Sequence, residues 1–243
     1  MEHKDAAIKK LNAYISSLIE NPDEKTRGKS DKLSYWIEDW TTYLNFENSF
    51  SPKSLRRYKR GEIIKAHLGY NVGSEEGGLH YCIVIEKNNS INSPVVTIVP
   101  LTSVKRKTDI TKLRKGEVYL GNELFTNLNS KISYTEKNVK TKILELNESL
   151  DSINNGTYSD SFDSLICKLE ECENQANLLD RMKAEVSKMK IGSITLTGQI
   201  RTISKIRIYD PKTNYDILSN VKLSSDKLDL IDKEIISNFT GCK

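Results

Sequence analysis

The chain has 243 residues, of which 37% are hydrophobic and 29% charged, and its net charge is +4. That allows one large domain or two small ones, with a modest core carrying exposed helical parts. No stretch approaches the about 20 apolar residues of a membrane span.

The opening segment reads as a helix, because Ala7, Ile8, Leu11, Tyr14, Ile15, Leu18 and Ile19 keep the three-to-four spacing of one apolar face. NPDEKTRGKS (21–30) reads as a polar break. A second helix is predicted from about Leu33 to Leu44, with Trp36, Trp40 and Tyr43 as packing residues on one stripe. From Arg60 the texture changes. EIIKAHL, YCIVIE, VVTIVPL, KGEVYLG and GSITLTG are short, rich in β-branched residues and separated by turn residues, the pattern of a small twisted sheet or barrel. NNSINSP (88–94) is a turn between two of these strands.

Between about Leu120 and Lys190 the strand pattern stops. Val139, Ile143, Leu146, Leu150 and Ile153 step by four and three, and Asn154-Asn155-Gly156 breaks the run. Leu165, Leu169, Cys172, Ala176 and Leu179 repeat the steps, continued by Val186 and Met189. Two heptad-like helices joined by a turn predict an antiparallel coiled-coil hairpin, with Cys172 and Ala176 in its seam. A last helix is expected with Ser225-Asp226 as its cap and Leu228, Ile231 and Ile235 as its buried stripe.

Charge follows these divisions. Residues 1–48 hold seven Lys/Arg against nine Asp/Glu, and residues 122–190 hold nine against twelve. The basic surplus lies in 49–121 and 191–243, a weak pointer to nucleic acid. Cys82, Cys167, Cys172 and Cys242 form no CxxC pair. Without an N-terminal apolar run long enough for a signal peptide, they read as free thiols of a cytoplasmic protein. His3, His67 and His80 lack ligand spacing, so no zinc site is expected and no cofactor is called for.

RGEIIKAHLGYNVGSEEGGLHYCIVI (60–85) resembles the opening of MazF/PemK-type toxins. That family has an Arg-Gly-acid start, a strand, a Gly-Ser-Glu loop ending in glycine, then Arg-Pro and a second strand. VVTIVPLTS (95–103) resembles its next strand, which ends in Pro-x-Thr, and GQIRTISKIRI (198–208) resembles its Gln-x-Arg stretch. The resemblance covers roughly half the chain. It implies an α+β protein: an SH3-like barrel at 56–121 and 190–243, with helical additions at 1–55 and a hairpin insertion at 122–189. The barrel is usually dimeric.

The resemblance also implies the toxin of a toxin–antitoxin pair. Its activity would be metal-independent cleavage of single-stranded RNA, giving a 2′,3′-cyclic phosphate and a free 5′-hydroxyl. Its partners would be an antitoxin that blocks the site and, through the pair, promoter DNA. His80 stands at the family's catalytic arginine and Tyr81 at its proline. An imidazole works as acid or base near neutrality but lacks the arginine fork for phosphate. Thr102 matches the family threonine that donates to the reacting phosphate, with Ser74 and Ser103 as further hydroxyls. The arginine and aspartate used by one branch of the family are here Leu196 and Gly198, so that mechanism is not expected.

Gly73, Gly77 and Gly78 are expected to let the loop swing over a groove, while Glu75 and Glu76 either orient basic side chains or, the preferred reading, are solvated. Lys105, Arg106 and Lys107 in KRKTDITKLRK (105–115), and KSLRRYKR (53–60), are candidate phosphate-tracking runs. Gln199, Arg201 and Arg207 are candidate RNA contacts from the third motif. The competing function keeps the fold and loses the chemistry: a regulator that binds nucleic acid or protein, or a toxin acting on DNA gyrase by contact. The hairpin is expected to project and enlarge an interface, or to cover the basic groove in cis.

Overall fold

A computed structural model of the chain describes residues 2–155 and 162–241. Gly156 and Cys242 lie outside them. The elements are α1 (Glu2–Ile19), α2 (Glu24–Phe46), β1 (Ile63–His67), β2 (Leu79–Val84), β3 (Val95–Ser103), β4 (Glu117–Gly121), α3 (Glu123–Asn154), α4 (Phe162–Lys188), β5 (Ser193–Leu196), β6 (Arg201–Ser204), β7 (Ile208–Asp210) and α5 (Ser225–Phe239).

The seven strands form one antiparallel sheet in the order β4-β5-β3-β2-β1-β7, with β6 also paired to β3. β3 is its spine. Along one edge Val95–Ile98 pair with β6 and Leu101–Ser103 with β5, and along the other Ile98–Pro100 pair with β2, so nine residues serve three partners. This is the expected mixed class of helices on an antiparallel sheet. Closure into a barrel is carried by no ladder among the described residues.

Alternation along the strands sorts side chains to two faces. Ile64, Ala66, Cys82, Val84 and Ile98 build one core with Tyr58 and Ile208. Ile63, Ile83 and Leu101 build the other with Leu120, Leu124, Leu128 and Ile231 of the surrounding elements. α5 covers this second core, with Ile231 buried and Leu228 and Ile235 packed beside it. Its N-cap is Ser224 rather than the expected Ser225-Asp226. The Ser224 hydroxyl makes no capping bond but reaches Glu123 at the start of α3.

The helices differ from the sequence reading in three ways. α2 begins about nine residues early, at Glu24, because Asp23 caps it by accepting from the Thr26 N–H at 2.8 Å. The polar run 21–30 is therefore a capped first turn more than a break. The apolar stripe of α1 is largely bare: Leu18 is buried while Ile8 is 56% exposed. α3 and α4 run antiparallel, since Glu136 pairs with Lys183 and Lys142 with Glu171. Their seam is buried from the sheet end, around Ile132, Leu178 and Met182, out to Val139 and Cys172, the latter an expected seam residue. Farther out Ile143, Leu150 and Leu169 are exposed, Leu169 to 58%. No other element among the described residues packs against that outer part of the hairpin.

α3 is fixed to the body by Lys131, whose ammonium donates to the carbonyls of Asp216, Ile217 and Ser219 at 2.8–3.0 Å. Burial pushes its pKa down to about 8. Lys131→Met is expected to lower stability by about 2 kcal/mol, the penalty for leaving buried acceptors unpaired, read as a reduced urea midpoint.

Two basic residues of the run at 53–60, Arg56 and Arg60, are structural, whereas Lys53, Arg57 and Lys59 are exposed. The Arg56 guanidinium sits 3.0 Å from Glu62, both side chains under 10% exposed (8% and 5%). Tyr58 is buried and its hydroxyl donates to the Pro211 carbonyl. Arg60 bonds the Ile85 carbonyl and Asp232. Arg56 and Arg60 are therefore not free to follow a phosphate backbone.

Candidate functional site

The loop between β1 and β2 is braced on both sides. Leu68 N–H donates to the Gly78 carbonyl and Gly78 N–H to the Gly69 carbonyl, both at 2.7 Å. The Asn71 amide donates to the carbonyls of Leu68 and Glu76. Gly77 is needed because a Cβ there would lie 2.6 Å from the Gly69 carbonyl oxygen. Gly73 and Gly78 take positive φ, as expected. Gln199 completes the brace, since its carboxamide accepts from Glu76 N–H at 2.6 Å and donates to the Ser74 carbonyl at 3.1 Å. The loop is thus a held frame rather than a free flap, and Gln199 and the Ser74 backbone are engaged in holding it. The Ser74 side chain stands on the exposed rim.

The frame aims Glu76 at His80. The Glu76 carboxylate lies 3.1 Å from His80 Nε2, each side chain 26% exposed. On its other side, His80 Nδ1 lies 3.2 Å from the Leu101 carbonyl. A carbonyl and a carboxylate are both acceptors, so the ring can donate to either one as a neutral tautomer and to both only when doubly protonated. Glu76 was read as solvated. The structure makes it the partner of His80, whereas Glu75 remains exposed.

Thr102 stands beside them. The register Cys82↔Pro100 places His80 opposite Thr102 where β2 and β3 part. A depression of about 260 Å³ there is lined by His80, Thr102, Ser103 and Lys105, together with Tyr81 and Lys190. His80 and Leu79 also line a broader groove of about 1000 Å³ between the loop and α1–α2, whose walls include Gly73, Glu75, Gly77 and Gly78. The imidazole therefore has access to solvent from two sides.

The other expected contacts are dispersed. Arg106 and Lys107 are exposed on the loop after β3 but do not line the depression. Arg201 bends onto Gln199, with Nη2 at 3.2 Å from its carboxamide oxygen. Arg207 is drawn under α2: it donates to the His67 carbonyl at 2.8 Å and lies 5.4 Å from the Trp36 ring. Trp36 also stacks on His67 with 4.8 Å between ring centroids. The N-terminal helices, rather than the hairpin, thus cover this basic side chain.

His67 receives the Gly69 N–H at Nδ1 and faces Asp39 through Nε2. Burial sets its pKa below the ordinary histidine value. A lowered folded pKa means that protonation favours release. The contact is complete above the unfolded value near 6.5 and is lost as pH falls through the folded one. Tryptophan emission should report this loosening of α2 on acidification, and His67→Gln should flatten the transition.

Three functional candidates escaped sequence reasoning: Glu76, Lys190 and Glu185. Glu76 is four residues from His80, but in a loop that spacing implies no contact. Lys190 and Glu185 reach the sheet only through the fold of the hairpin.

The strand ends thus gather an imidazole, hydroxyls and lysines at one open cleft on an α+β scaffold, the equipment of a protein that handles an anionic ligand. Residues 59–143 match the family model described as PemK-like, MazF-like toxin of type II toxin–antitoxin systems. The match runs from the Arg-Gly-Glu start through β4 into α3, bearing out the family resemblance over that segment. Toxins of this family are generally endoribonucleases and act opposite an antitoxin. No curated protein matches the chain. No helix among the described residues is long and apolar enough to cross a membrane.

Proposed function

We propose that the chain is the toxin of a type II toxin–antitoxin pair, a metal-independent endoribonuclease acting on single-stranded RNA. The toxin body is 56–121 with 190–243, and the segments 1–55 and 122–189 are additions to it. The observation that carries the reading is that His80, with Glu76 against its Nε2, lines one solvent-open depression together with Thr102.

RNA supplies its own nucleophile, the 2′-hydroxyl beside each phosphodiester. An acid, a base and fixed donors suffice to drive the transfer. Glu76 accepts the 2′-hydroxyl proton while the 2′-oxygen attacks phosphorus. The His80 imidazolium gives its proton to the departing 5′-oxygen. Thr102 donates to a non-bridging oxygen. A 2′,3′-cyclic phosphate and a 5′-hydroxyl remain, and proton return from Glu76 to His80 resets the pair. The cationic ring thereby supplies both the charge of the family arginine and a transferable proton.

Several features belong to this reading as partners rather than chemistry. An antitoxin covers the cleft, the pair binds promoter DNA, and the active toxin is a cytoplasmic homodimer.

Incubating the purified protein with single-stranded RNA in EDTA tests the reading. Fragments with cyclic-phosphate and 5′-hydroxyl ends are expected. Intact RNA at high protein excess would sink it and favour a binding regulator with a decayed site, for which the loss of the Arg-Pro pair is the sequence pointer.

A further inference from the structure

A second depression, of about 210 Å³, opens beside the first and shares Tyr81, Ser103 and Lys190 with it. Its remaining walls include Lys65, Glu185 and Lys188. The hairpin's returning end therefore forms one side of the cleft. The geometry there is fixed. Lys65 Nζ lies 2.5 Å from the Glu185 carboxylate, and the Tyr81 hydroxyl donates to the same oxygen. Lys65 also lies 5.2 Å from the centre of the Tyr81 ring. Hydrogen bonds from Lys65 and Tyr81 outweigh burial and hold the Glu185 carboxyl below the usual carboxylate range.

The chain then leaves α4 and is pinned to β3. Val104 N–H donates to the Gly192 carbonyl at 3.0 Å, and Ser193 pairs with Ser103. Gly192 has φ +88°, and a Cβ there would meet Val104 at 2.9 Å. This turn places Lys190 against the strand end that bears Thr102. Glu185 neutralises one of the four lysines that line the two depressions. Among the described residues, Lys105, Lys188 and Lys190 form no ion pair, and all three are exposed. Lys188 also feels the Glu185 charge, and with Lys105 and Lys190 it sets three solvent-facing ammonium groups around two joined hollows, an arrangement that suits a series of phosphates.

We propose that this second depression is a phosphate subsite for a single-stranded nucleic-acid backbone. Lys188 and Lys190 would hold a phosphodiester next to the one placed at His80 and Thr102. The Glu185–Lys65–Tyr81 cluster positions the hairpin so that its two lysines face the strand. The inserted hairpin is on this account a substrate-binding element. The inference rests on the nuclease reading for its ligand but can be tested without turnover.

The test uses the full chain and a fluorescent single-stranded 2′-deoxy oligonucleotide, which lacks the attacking hydroxyl. Affinity is measured across a salt series for the wild type and for Lys188→Gln/Lys190→Gln. Losing two phosphate contacts should weaken binding and flatten the log–log salt slope by about 1.4, at ~0.7 per contact for single strands. Lys137→Gln/Lys140→Gln removes the same charge from exposed positions farther out on α3 and should leave the slope unchanged.

Where RNA is cleaved, the Lys188/Lys190 pair should raise KM with kcat nearly kept, since the contact is made in ground and transition state alike. An unchanged slope and affinity would overturn the subsite while leaving the nuclease reading intact. A flattened slope in a protein that cuts no RNA would do the reverse. Equal effects from the outer pair would also overturn it, because general charge would then explain the loss.

Discussion

His80→Ala is expected to slow RNA cleavage at least ~100-fold, the lower end of what general acid–base catalysis contributes. The variant should still bind the 2′-deoxy strand, because the lysines around the cleft are untouched. The loss should appear in kcat, since the proton is needed only in the transition state. Thr102→Ala is expected to fall by a similar factor through its missing donor to the phosphoryl oxygen. His80→Arg is the informative contrast. It restores the cation and the forked phosphate contact, so cleavage should recover relative to the alanine variant. Glu76→Gln keeps the loop but removes the base and the partner of the imidazole, so it should fall with His80→Ala and the two losses should not add. Additive losses would mean that the pair does not act as one unit, and the proposed proton path would fail.

The largest effect on stability is expected at the other end of the Arg-Gly-Glu start. Arg56 and Glu62 are both nearly closed off from water and bond each other at 3.0 Å. The Glu62 carboxylate also accepts from the Lys59 N–H at 3.0 Å, and Arg56 reaches Asn220 at 3.2 Å. Arg56→Ala leaves a buried carboxylate without its cation and should cost about 3–5 kcal/mol. That is a large share of the 5–15 kcal/mol typical of a folded domain. Arg56→Met combined with Glu62→Leu should recover most of the loss, because two apolar side chains of similar size carry no desolvation penalty. Urea unfolding of the single and double variants decides the matter. A single variant as stable as the wild type would show that the pair contributes nothing, and the account of this corner would have to be withdrawn.

Both predictions concern motifs visible in the sequence, but for different reasons. The Arg-Gly-Glu start is structural: Arg60 closes onto α5 and the end of β2, Gly61 has φ +82° where a Cβ would strike Leu228, and Glu62 is buried. The Gln-x-Arg stretch braces more than it binds, since Gln199 holds a loop 123 residues away in sequence. Only the Pro-x-Thr ending and the histidine at the arginine position arrive together at an open site.

The sequence by itself determined five of the seven strands, β1 to β5, the two long helices of the hairpin and the α5 stripe, because alternation and three-to-four spacing act within a window of a few residues. It also carried the match of 59–143 to the toxin family model. Only the tertiary structure decided that Glu76 meets His80, that Arg56 and Arg207 are withdrawn from the surface, and that Lys188 and Lys190 stand beside the candidate site. Each of those outcomes depends on contacts between distant segments or on a loop held by them. A charged side chain carries no local mark of whether its partner will be water or another element of the fold.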